Sequence, residues 1–429
     1  MAESKVKNLV ICSTLNQITN YLVIRALKPE RIFNITFSED ARRKMSDNID
    51  NFQWDTWLKD ELKSLSLEIN DIKLEDKEIY NLSTIKNRIS SSIHKNNSDN
   101  NEPIYWHITG GQRLICLAIY DFVKRRNNDR LLYIDGNNEK LIENDNKGKF
   151  ITCDRSYADK ELTFETALHL VGFNTAGLDR SHIYKVAEAE NLSTNTDFLK
   201  EHNYYQKLYE IIKDEMDTEG LKKGGFWEDV IKTNQLQTKD ERCRKIRELF
   251  CMLENNKTEL KTSLLKSEKP YDIYNSEELN KGFPAGYIFE KVMSHKIFDI
   301  IKSDERIVQM QSSLKTEFKD KKDKDYNFMV DELDIALLTK TGKLINFECK
   351  SGGMTGNNAK SHNYTTYRLS GVFGMPIVLS PLNEGEILKE ESILQTQKQA
   401  VRAAKSAEIE VWPIDKIEDR LKKLLDINN

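Results

Sequence analysis

A short acidic stretch in the last third of the chain constrains its fold more than any other feature. Asp334 lies in an apolar run. Residues 340–342 follow that run, and a second apolar run after them ends in Glu348 and Lys350. The separating residues suit a tight hairpin loop with Gly342 in the left-handed conformation. A loop over residues 340–342 sets Asp334 opposite Glu348 on the neighbouring strand. Side chains two apart in a strand share a face, so Lys350 lies on the same face as Glu348. Two carboxylates roughly 5 Å apart at Cβ can share a divalent cation.

The other face of this hairpin is expected to pack against the core, because every residue on it is apolar. These residues are Ile335, Leu337, Ile345, Phe347 and Cys349. A charged outer face by itself is weak evidence in a chain with 31% charged residues, so an ordinary solvated hairpin is the alternative interpretation.

A helix is predicted before the hairpin, opening at residues 283–286, with Glu290 in its first turns. Its apolar residues recur at helical spacing: Phe289, Val292, Met293, Ile297 and Ile300. The elements predicted after the hairpin are a helix at 364–373, a strand at 374–379, a helix at 395–406, a strand at 408–412 and a helix at 416–425.

This order of elements resembles the PD-(D/E)xK nucleases, which have the restriction-endonuclease fold. The resemblance covers about residues 280–425 and makes Glu290 the first acidic residue of the family's motif. The chain lacks the proline that often precedes Asp334 in this motif, at a position that varies in the family.

The resemblance implies metal-dependent hydrolysis of a phosphodiester. Asp334, Glu348 and the backbone carbonyl of Cys349 would hold Mg²⁺ or Mn²⁺, since hard cations take oxygen ligands. Glu290 would reach the ion directly or through water. Lys350 would position the attacking water and stabilise the transition state.

Bulk composition narrows the cellular context. The formal net charge of −4 gives no global basic field, so a nucleic-acid site would have to be local. The lysine-rich stretch 315–324 is interleaved with acids and is interpreted as a solvated loop. Six cysteines without C-x-x-C spacing indicate free thiols. With no signal peptide and no apolar run of about 18 residues, a cytoplasmic location without membrane contact is expected.

Strand and helix patterns alternate over the first 135 residues. Strands are predicted at 6–12, 32–37, 67–74, 103–108 and 131–134, and helices after the first strand through Ala26 and at 52–65, 79–94 and 112–124. A hairpin is predicted over 136–152. Such alternation predicts a parallel, doubly wound sheet, whose ligands bind beyond the carboxyl ends of the strands at the switch point.

Two loops are expected at that point. They consist of Ser13, Thr14, Leu15, Asn16 and Gln17 after the first strand, and Thr109, Gly110, Gly111, Gln112 and Arg113 after the fourth. The two glycines let backbone amides approach a ligand, and the following helix offers its N-terminus, which suits phosphate or nucleotide. Neither G-x-G-x-x-G nor the Walker motif occurs.

These loops resemble those of CARF domains, the Rossmann-like sensors of cyclic oligoadenylates in type III CRISPR systems. A CARF domain joined to a PD-(D/E)xK nuclease is similar to a family of CRISPR ancillary effectors. Its members dimerise through the sensor and cut nucleic acid when cyclic tetraadenylate binds. The resemblance assigns ligand binding to Ser13, Thr14, Asn16, Gln17, Thr109, Gly110, Gly111, Gln112 and Arg113. Gln112 and Arg113 stand where Thr-Lys is more usual, which leaves the ring size of the ligand open.

The sequence therefore predicts an α/β chain with a CARF sensor at 1–160, a helical connector at 161–275 and a restriction-endonuclease-like PD-(D/E)xK domain at 276–429. Helices are expected in the connector at 164–171, 196–216, 226–233 and 240–253. The predicted function is a homodimeric, Mg²⁺- or Mn²⁺-dependent nuclease of antiviral defence, acting on DNA or RNA. Cyclic oligoadenylate, most specifically cyclic tetraadenylate, is the predicted allosteric activator.

Two alternatives remain at this stage. One is a cyclic-nucleotide-responsive regulator that binds DNA through an inactive nuclease-like domain, although the intact set of Asp334, Glu348 and Lys350 disfavours it. The other is a restriction or repair nuclease unrelated to CRISPR. An R-x4-6-H match at residues 88–94, as in HEPN ribonucleases, lies within the predicted sensor and is given little weight.

Overall fold

The chain forms two mixed α/β layers, each built around a seven-stranded sheet. The computed structural model describes residues 6–45, 54–65, 67–96, 102–126, 128–144, 148–176, 183–185, 284–319, 329–350, 353–380, 382–389 and 395–426. Within these residues, no helix combines the length and the apolar character needed to cross a membrane.

The first sheet confirms the predicted parallel, doubly wound arrangement. Its strands are β1 (Asn8–Cys12), β2 (Arg31–Phe37), β3 (Glu68–Leu74), β4 (Ile104–His107), β5 (Arg130–Asp135), β6 (Lys140–Asn144) and β7 (Phe150–Thr152). The order is β3-β2-β1-β4-β5-β6-β7, with the first five strands parallel and the last two antiparallel. Chain order reverses between β1 and β4, so the loops after these two strands lie side by side at the switch point.

Helices cover both faces of this sheet. They are α1 (Ile18–Leu27), α2 (Glu39–Met45), α3 (Trp54–Leu62), α4 (Leu82–Asn96) and α5 (Arg113–Val123). The sequence did not predict α2. Strand β1 is buried along its whole length, as expected of the central strand of a parallel sheet.

The second sheet contains the predicted acidic hairpin. Its strands are β8 (Phe173–Thr175), β9 (Ile183–Lys185), β10 (Ile307–Phe318), β11 (Met329–Thr339), β12 (Leu344–Cys349), β13 (Gly374–Ser380) and β14 (Glu410–Pro413). The helices packed with it are α6 (Phe164–His169), α7 (Pro284–Ile301), α8 (Gly356–Ser370), α9 (Glu384–Lys389), α10 (Gln395–Ser406) and α11 (Ile417–Asp426). The order is β14-β13-β12-β11-β10-β8, and β9 also pairs with β10.

The hairpin register is confirmed. Ile335 pairs with Phe347 and Leu338 with Leu344, and Gly342 has a φ of +81° in the loop. Continued by one residue, this register sets Asp334 opposite Glu348. The face predicted to be apolar is buried.

Two expectations for the segments around β10 need correction. The interpretation of 315–324 as a solvated loop is wrong for residues 315–318, which belong to β10 and pair with β11 and β8. Residues 320–324 lie outside the described residues. Within the segment predicted as a helical connector, α6 is a helix, but β8 and β9 are strands that pair with β10. The helices predicted at 196–216, 226–233 and 240–253 also lie outside the described residues.

The two sheets share one hydrophobic core at the tip of the hairpin. Leu338 and Leu344 belong to the same buried cluster as Ile18 and Leu22 of α1. A Cβ built on Gly342 would lie 2.7 Å from Ile18 Cδ1, so the loop backbone lies directly against α1. The hairpin tip is therefore one place where the two halves of the chain, each a sheet with its helices, are fixed to each other.

We expect Gly342→Ala to destabilise the protein through this contact. An L-residue with left-handed φ costs about 1–2 kcal/mol, and the extra methyl overpacks the core by about 1–3 kcal/mol. Gly148 is a matched control, because it has a φ of +80° and no atom of the described residues lies within 4 Å of its Cβ position. Urea denaturation should show a larger loss of unfolding free energy for Gly342→Ala than for Gly148→Ala. Equal losses would contradict the packing.

Candidate functional site

Hydrogen bonds between buried polar side chains support the loop after β1. Gln17 is fully buried, and its Oε1 accepts a hydrogen bond from Asn20 Nδ2 at 2.7 Å. Ser13 is also buried, and its Oγ accepts one from Trp54 Nε1 at 2.5 Å. The structure therefore places these two predicted ligand residues in the support of the loop rather than on its surface.

A cavity of about 360 Å³ opens at the switch point between β1 and β4. Its lining comes from both halves of the chain: Thr14, Leu15, Asn16, Thr19, Thr109 and Gly110 from the first, and Val171, Tyr364, Tyr367, Arg368, Gly371 and Phe373 from the second. The structure thus brings together Thr14, Asn16, Thr109 and Gly110, four of the predicted ligand residues. The volume is within the range of small-molecule sites.

The remaining residues of the Gly-Gly loop lie around this cavity without lining it. Gly111 packs on thiols, since a Cβ there would lie 2.9 Å from Cys116 Sγ and 3.0 Å from Cys12 Sγ. Gln112 and Arg113 are exposed at the N-terminus of α5. The open backbone of this loop is at Gly110, which has a φ of +79°.

Asn16 fastens the first loop to the second half of the chain. Its Nδ2 donates to the Ser370 carbonyl at 2.9 Å, while its Oδ1 accepts from the Ile18 amide at 3.1 Å. Gly371 follows with a φ of +60°, and a Cβ there would lie 2.6 Å from Asn16 Nδ2. The end of α8 and the loop after β1 are thus in direct contact.

Sequence reasoning missed the part of the lining that α8 contributes. Tyr364, Tyr367 and Arg368 recur at spacings of three and four, so one helix face was visible in the sequence. Nothing in the sequence indicated that this face lies against the switch point.

The second cluster is acidic and is organised by the sheet. In β10, Ser312 pairs with Ile335 and Leu314 with Leu333, so Ser313 takes the position across from Asp334. Ser313, Asp334 and Glu348 therefore form one row across three strands.

Ser313 was missed by the sequence analysis, yet it connects Glu290 to this row. Its φ of +51° is unusual for a residue other than glycine. Its Oγ donates to Glu290 Oε1 at 2.7 Å. The helix that carries Glu290 is thereby tied to the strand beside Asp334.

Burial and like charges dominate the electrostatics of Asp334. Burial raises the pKa of Asp334 well above its usual range, and the charges of Glu348 and Glu290 raise it further. The Cys349 amide opposes this rise by donating to Asp334 Oδ2 at 2.7 Å. Carboxylates crowded in this way favour a neighbouring cation.

Lys350 supplies one positive charge to this cluster. Its Nζ forms an ion pair with Glu348 Oε1. Burial alone would lower the pKa of Lys350, but Glu348 and Asp334 raise it above its ordinary value. The ammonium group therefore stays charged at neutral pH.

Helix α8 covers the neighbouring part of the same hairpin face. Asn346 Nδ2 donates to Thr366 Oγ1 at 2.8 Å, and His362 Nδ1 lies 3.7 Å from Glu348 Oε2. Burial lowers the pKa of His362, which favours the neutral imidazole. Neither α8 contact was foreseen from the sequence.

The donor set suits a hard divalent cation in its chemistry. Glu290, Asp334 and Glu348 offer carboxylate oxygens, whose mutual repulsion a cation would relieve. Burial raises the pKa of the Cys349 thiol, so this residue would contribute its carbonyl rather than a thiolate. Over the described parts of the chain, no three His, Cys, Asp or Glu side chains are already gathered in a metal-binding arrangement.

Comparison with known proteins relates the chain to solved structures only through its fold. No protein-family model matches the sequence, and neither does any curated protein. The structure of Can2 from Sulfobacillus thermosulfidooxidans in complex with cyclic tetra-adenylate is similar, with a TM-score of 0.57, 14% identity and 98% of each chain covered. Protein VC1899 from Vibrio cholerae is similar with a TM-score of 0.63, 12% identity and 99% of each chain covered. The chain therefore shares the α/β fold of these proteins over nearly its whole length.

His107 belongs to the buried polar network that supports the loop after β1. Asn20 uses its amide hydrogens on Gln17 and the Cys12 carbonyl, so Asn20 Oδ1 accepts from His107 Nδ1 at 2.9 Å. The proton thus resides on Nδ1. His107 Nε2 is buried without a hydrogen-bond partner among the described residues. Burial lowers the pKa of His107 to about 3.

We expect His107 to make the protein acid-sensitive. The unfolded chain takes up a proton at this residue near pH 6.5, whereas the folded chain does so only near pH 3, so stability is lost as pH falls through this window. The loss is at most about 1.4 kcal/mol per pH unit. His107→Asn retains a donor for Asn20 and should flatten the loss between pH 6.5 and 5 in urea titrations. The difference in unfolding free energy between the wild type and His107→Asn at pH 8 serves as the reference. Parallel pH dependences of the two proteins would contradict this role of His107.

Proposed function

We propose that this protein is a metal-dependent nuclease that cyclic oligoadenylate activates, and that it acts in type III CRISPR defence. The nuclease assignment rests on the row of Asp334 and Glu348 with Lys350. These side chains combine carboxylate oxygens with a fixed ammonium group in one partly exposed cluster. The switch-point cavity and the fold shared with Can2, which was solved with cyclic tetra-adenylate, support the choice of activator.

The proposed roles follow from the contacts of each side chain. Asp334, Glu348 and the Cys349 carbonyl would hold Mg²⁺ or Mn²⁺, and Ser313 holds Glu290 on the same side. When bound, the ion supplies charge neutralisation at the phosphate and acidifies a water molecule. The Lys350 ammonium, held by Glu348, orients the attacking water and stabilises negative charge that develops on the phosphate oxygens.

The sensor assignment uses the cavity rather than every residue of the two loops. Gly110 exposes its backbone to the ligand, and Thr14 supplies a hydroxyl beside it. At about 360 Å³, the cavity is smaller than a ring of four adenylates. A cyclic tetraadenylate would therefore need the cavities of two copies, and two-fold symmetry of the ring fits a homodimer.

An exposed apolar stripe on α5 supports this dimer. Leu114, Leu117 and Tyr120 are 37%, 55% and 49% exposed, and each lies about one turn before the next. The stripe begins beside the Gly-Gly loop, so a partner that covers it would bring a second cavity close to the first.

Glu348→Gln tests the nuclease assignment. Loss of one anionic donor should reduce cleavage on the order of 100-fold or more, while ligand binding stays intact. Lys350→Ala should also lose most of the rate yet retain metal binding. Plasmid, single-stranded DNA and RNA are assayed with Mn²⁺ and cyclic tetraadenylate. Glu305→Gln is the control, because this side chain is 83% exposed in a surface ion pair with Lys160.

Wild-type cleavage by Glu348→Gln would rule out nuclease chemistry at this cluster. If the wild-type protein binds the ligand but cuts none of the three substrates, the result would instead favour a regulator that only binds nucleic acid.

Gly110→Val tests the sensor assignment. A Cβ at Gly110 would lie 2.9 Å from Thr14 Oγ1, so the larger side chain fills the approach to the backbone. We expect cyclic tetraadenylate affinity to fall about tenfold or more by calorimetry, with ligand-free cleavage unchanged. Gly148→Val places the same side chain at a similar φ in open space and should bind normally. Unaltered affinity in Gly110→Val would refute this placement of the ligand.

A further inference from the structure

The switch-point cavity has two walls of different chemistry. The sensor loops contribute Thr14, Thr109 and the backbone at Gly110, which suit hydrogen bonding to phosphate and sugar. The opposite wall comes from α8, in the other half of the chain, through Tyr364 and Tyr367.

The α8 wall has the groups that an adenine nucleotide requires beyond hydrogen bonds. Tyr364 is 67% exposed and Tyr367 52% exposed, so each ring is open to a planar partner. Bases stack on such rings. Arg368 is half-buried on the same helix face, with its guanidinium 5.6 Å from the centre of the Phe173 ring. A guanidinium held in this way suits a phosphate.

We infer that α8 is the second wall of the cyclic-oligoadenylate site, with Tyr364 and Tyr367 stacking on adenine and Arg368 meeting phosphate. The inference rests on the proposed function of the sensor loops and adds the residues that recognise the base. It assigns ligand contacts to the half of the chain that carries the proposed nuclease.

The opposite face of α8 touches the acidic cluster. Thr366 accepts the hydrogen bond from Asn346, and His362 lies 3.7 Å from Glu348. Any displacement of α8 by the ligand therefore acts directly on the strand that carries Glu348. The Asn16 bond to the Ser370 carbonyl sets the resting position of the helix end, and Asn16 itself lines the cavity. A ligand that competes for Asn16 would release that end.

Calorimetric titration of the full chain with cyclic tetraadenylate tests the wall. Tyr364→Ala and Tyr367→Ala should each weaken binding by about 5- to 100-fold, the loss expected for one base–aromatic stack. Tyr367→Phe keeps the ring and should bind like the wild type. Tyr80→Ala removes a ring that is 72% exposed and outside the cavity lining, and it should have no effect.

The outcomes separate this inference from the proposed function. If the wild type binds and Gly110→Val does not, while both alanine variants bind normally, the sensor stands and the α8 wall is wrong. If the wild type binds no cyclic tetraadenylate, the proposed activator falls and the α8 wall falls with it. Weakened binding in both alanine variants, with Tyr367→Phe and Tyr80→Ala normal, supports the wall.

Thr366→Val tests the link from the wall to the acidic cluster. Valine matches the shape of threonine but removes the Thr366 Oγ1 acceptor, which leaves Asn346 Nδ2 with the longer contact to His362 Nδ1 at 3.4 Å. Ligand affinity should stay within about twofold of the wild type, whereas the ratio of cleavage with ligand to cleavage without it should fall at least about fivefold. Thermal melting confirms that the variant is folded at the assay temperature. An unchanged ratio would overturn the link through α8.

Discussion

One face of the β11–β12 hairpin is the surface on which the rest of the structure depends. At the tip, Leu338 and Leu344 enter the core shared with α1. Four residues further along β12, about 13 Å away, Glu348 belongs to the acidic cluster. Between these ends, Asn346 is bonded to α8. Because both strands are extended and paired on both sides, this face is rigid and fixes α1, α8 and the carboxylates relative to one another.

At the acidic end of that face, folding disfavours the ionised form of Asp334. Burial and two neighbouring carboxylates raise the pKa of Asp334, so ionising it costs free energy in the folded chain. The structure offsets part of this cost with the Cys349 amide and the Lys350 ammonium. A buried hydrophobic pair would be more stable than such a cluster. Its presence is therefore better explained by chemistry at the site than by a contribution to stability.

The sequence predicted the hairpin well because its constraints are local. Alternating apolar residues and the left-handed Gly342 determine the register of neighbouring strands. Strand β10 was missed because its buried residues include Gln309 and Ser312, which break the apolar pattern. The structure explains them: Gln309 accepts from the Phe164 amide at 2.6 Å, and Ser312 bonds Ser294. Ser313 was missed for a different reason, because its role depends on a contact with Glu290, 23 residues earlier in the chain. Contacts between the halves, such as Asn16 with Ser370, leave no local pattern to read.

If the proposed function holds, helix α8 would couple the cavity to the acidic cluster over a short distance, because it contacts both. Its 15 residues span about 22 Å. Tyr367 lines the cavity, while the adjacent Thr366 and, further along the helix, His362 contact the hairpin. A ligand shifts an equilibrium only through contacts that differ between two states. In this structure Asn16 bonds the α8 end. Under our inference a bound nucleotide would compete for Asn16, and the α8 end would then meet this condition. By linkage, a nucleic acid that rearranges Glu348 must change ligand affinity by the same factor, and α8 is the element through which both effects would pass.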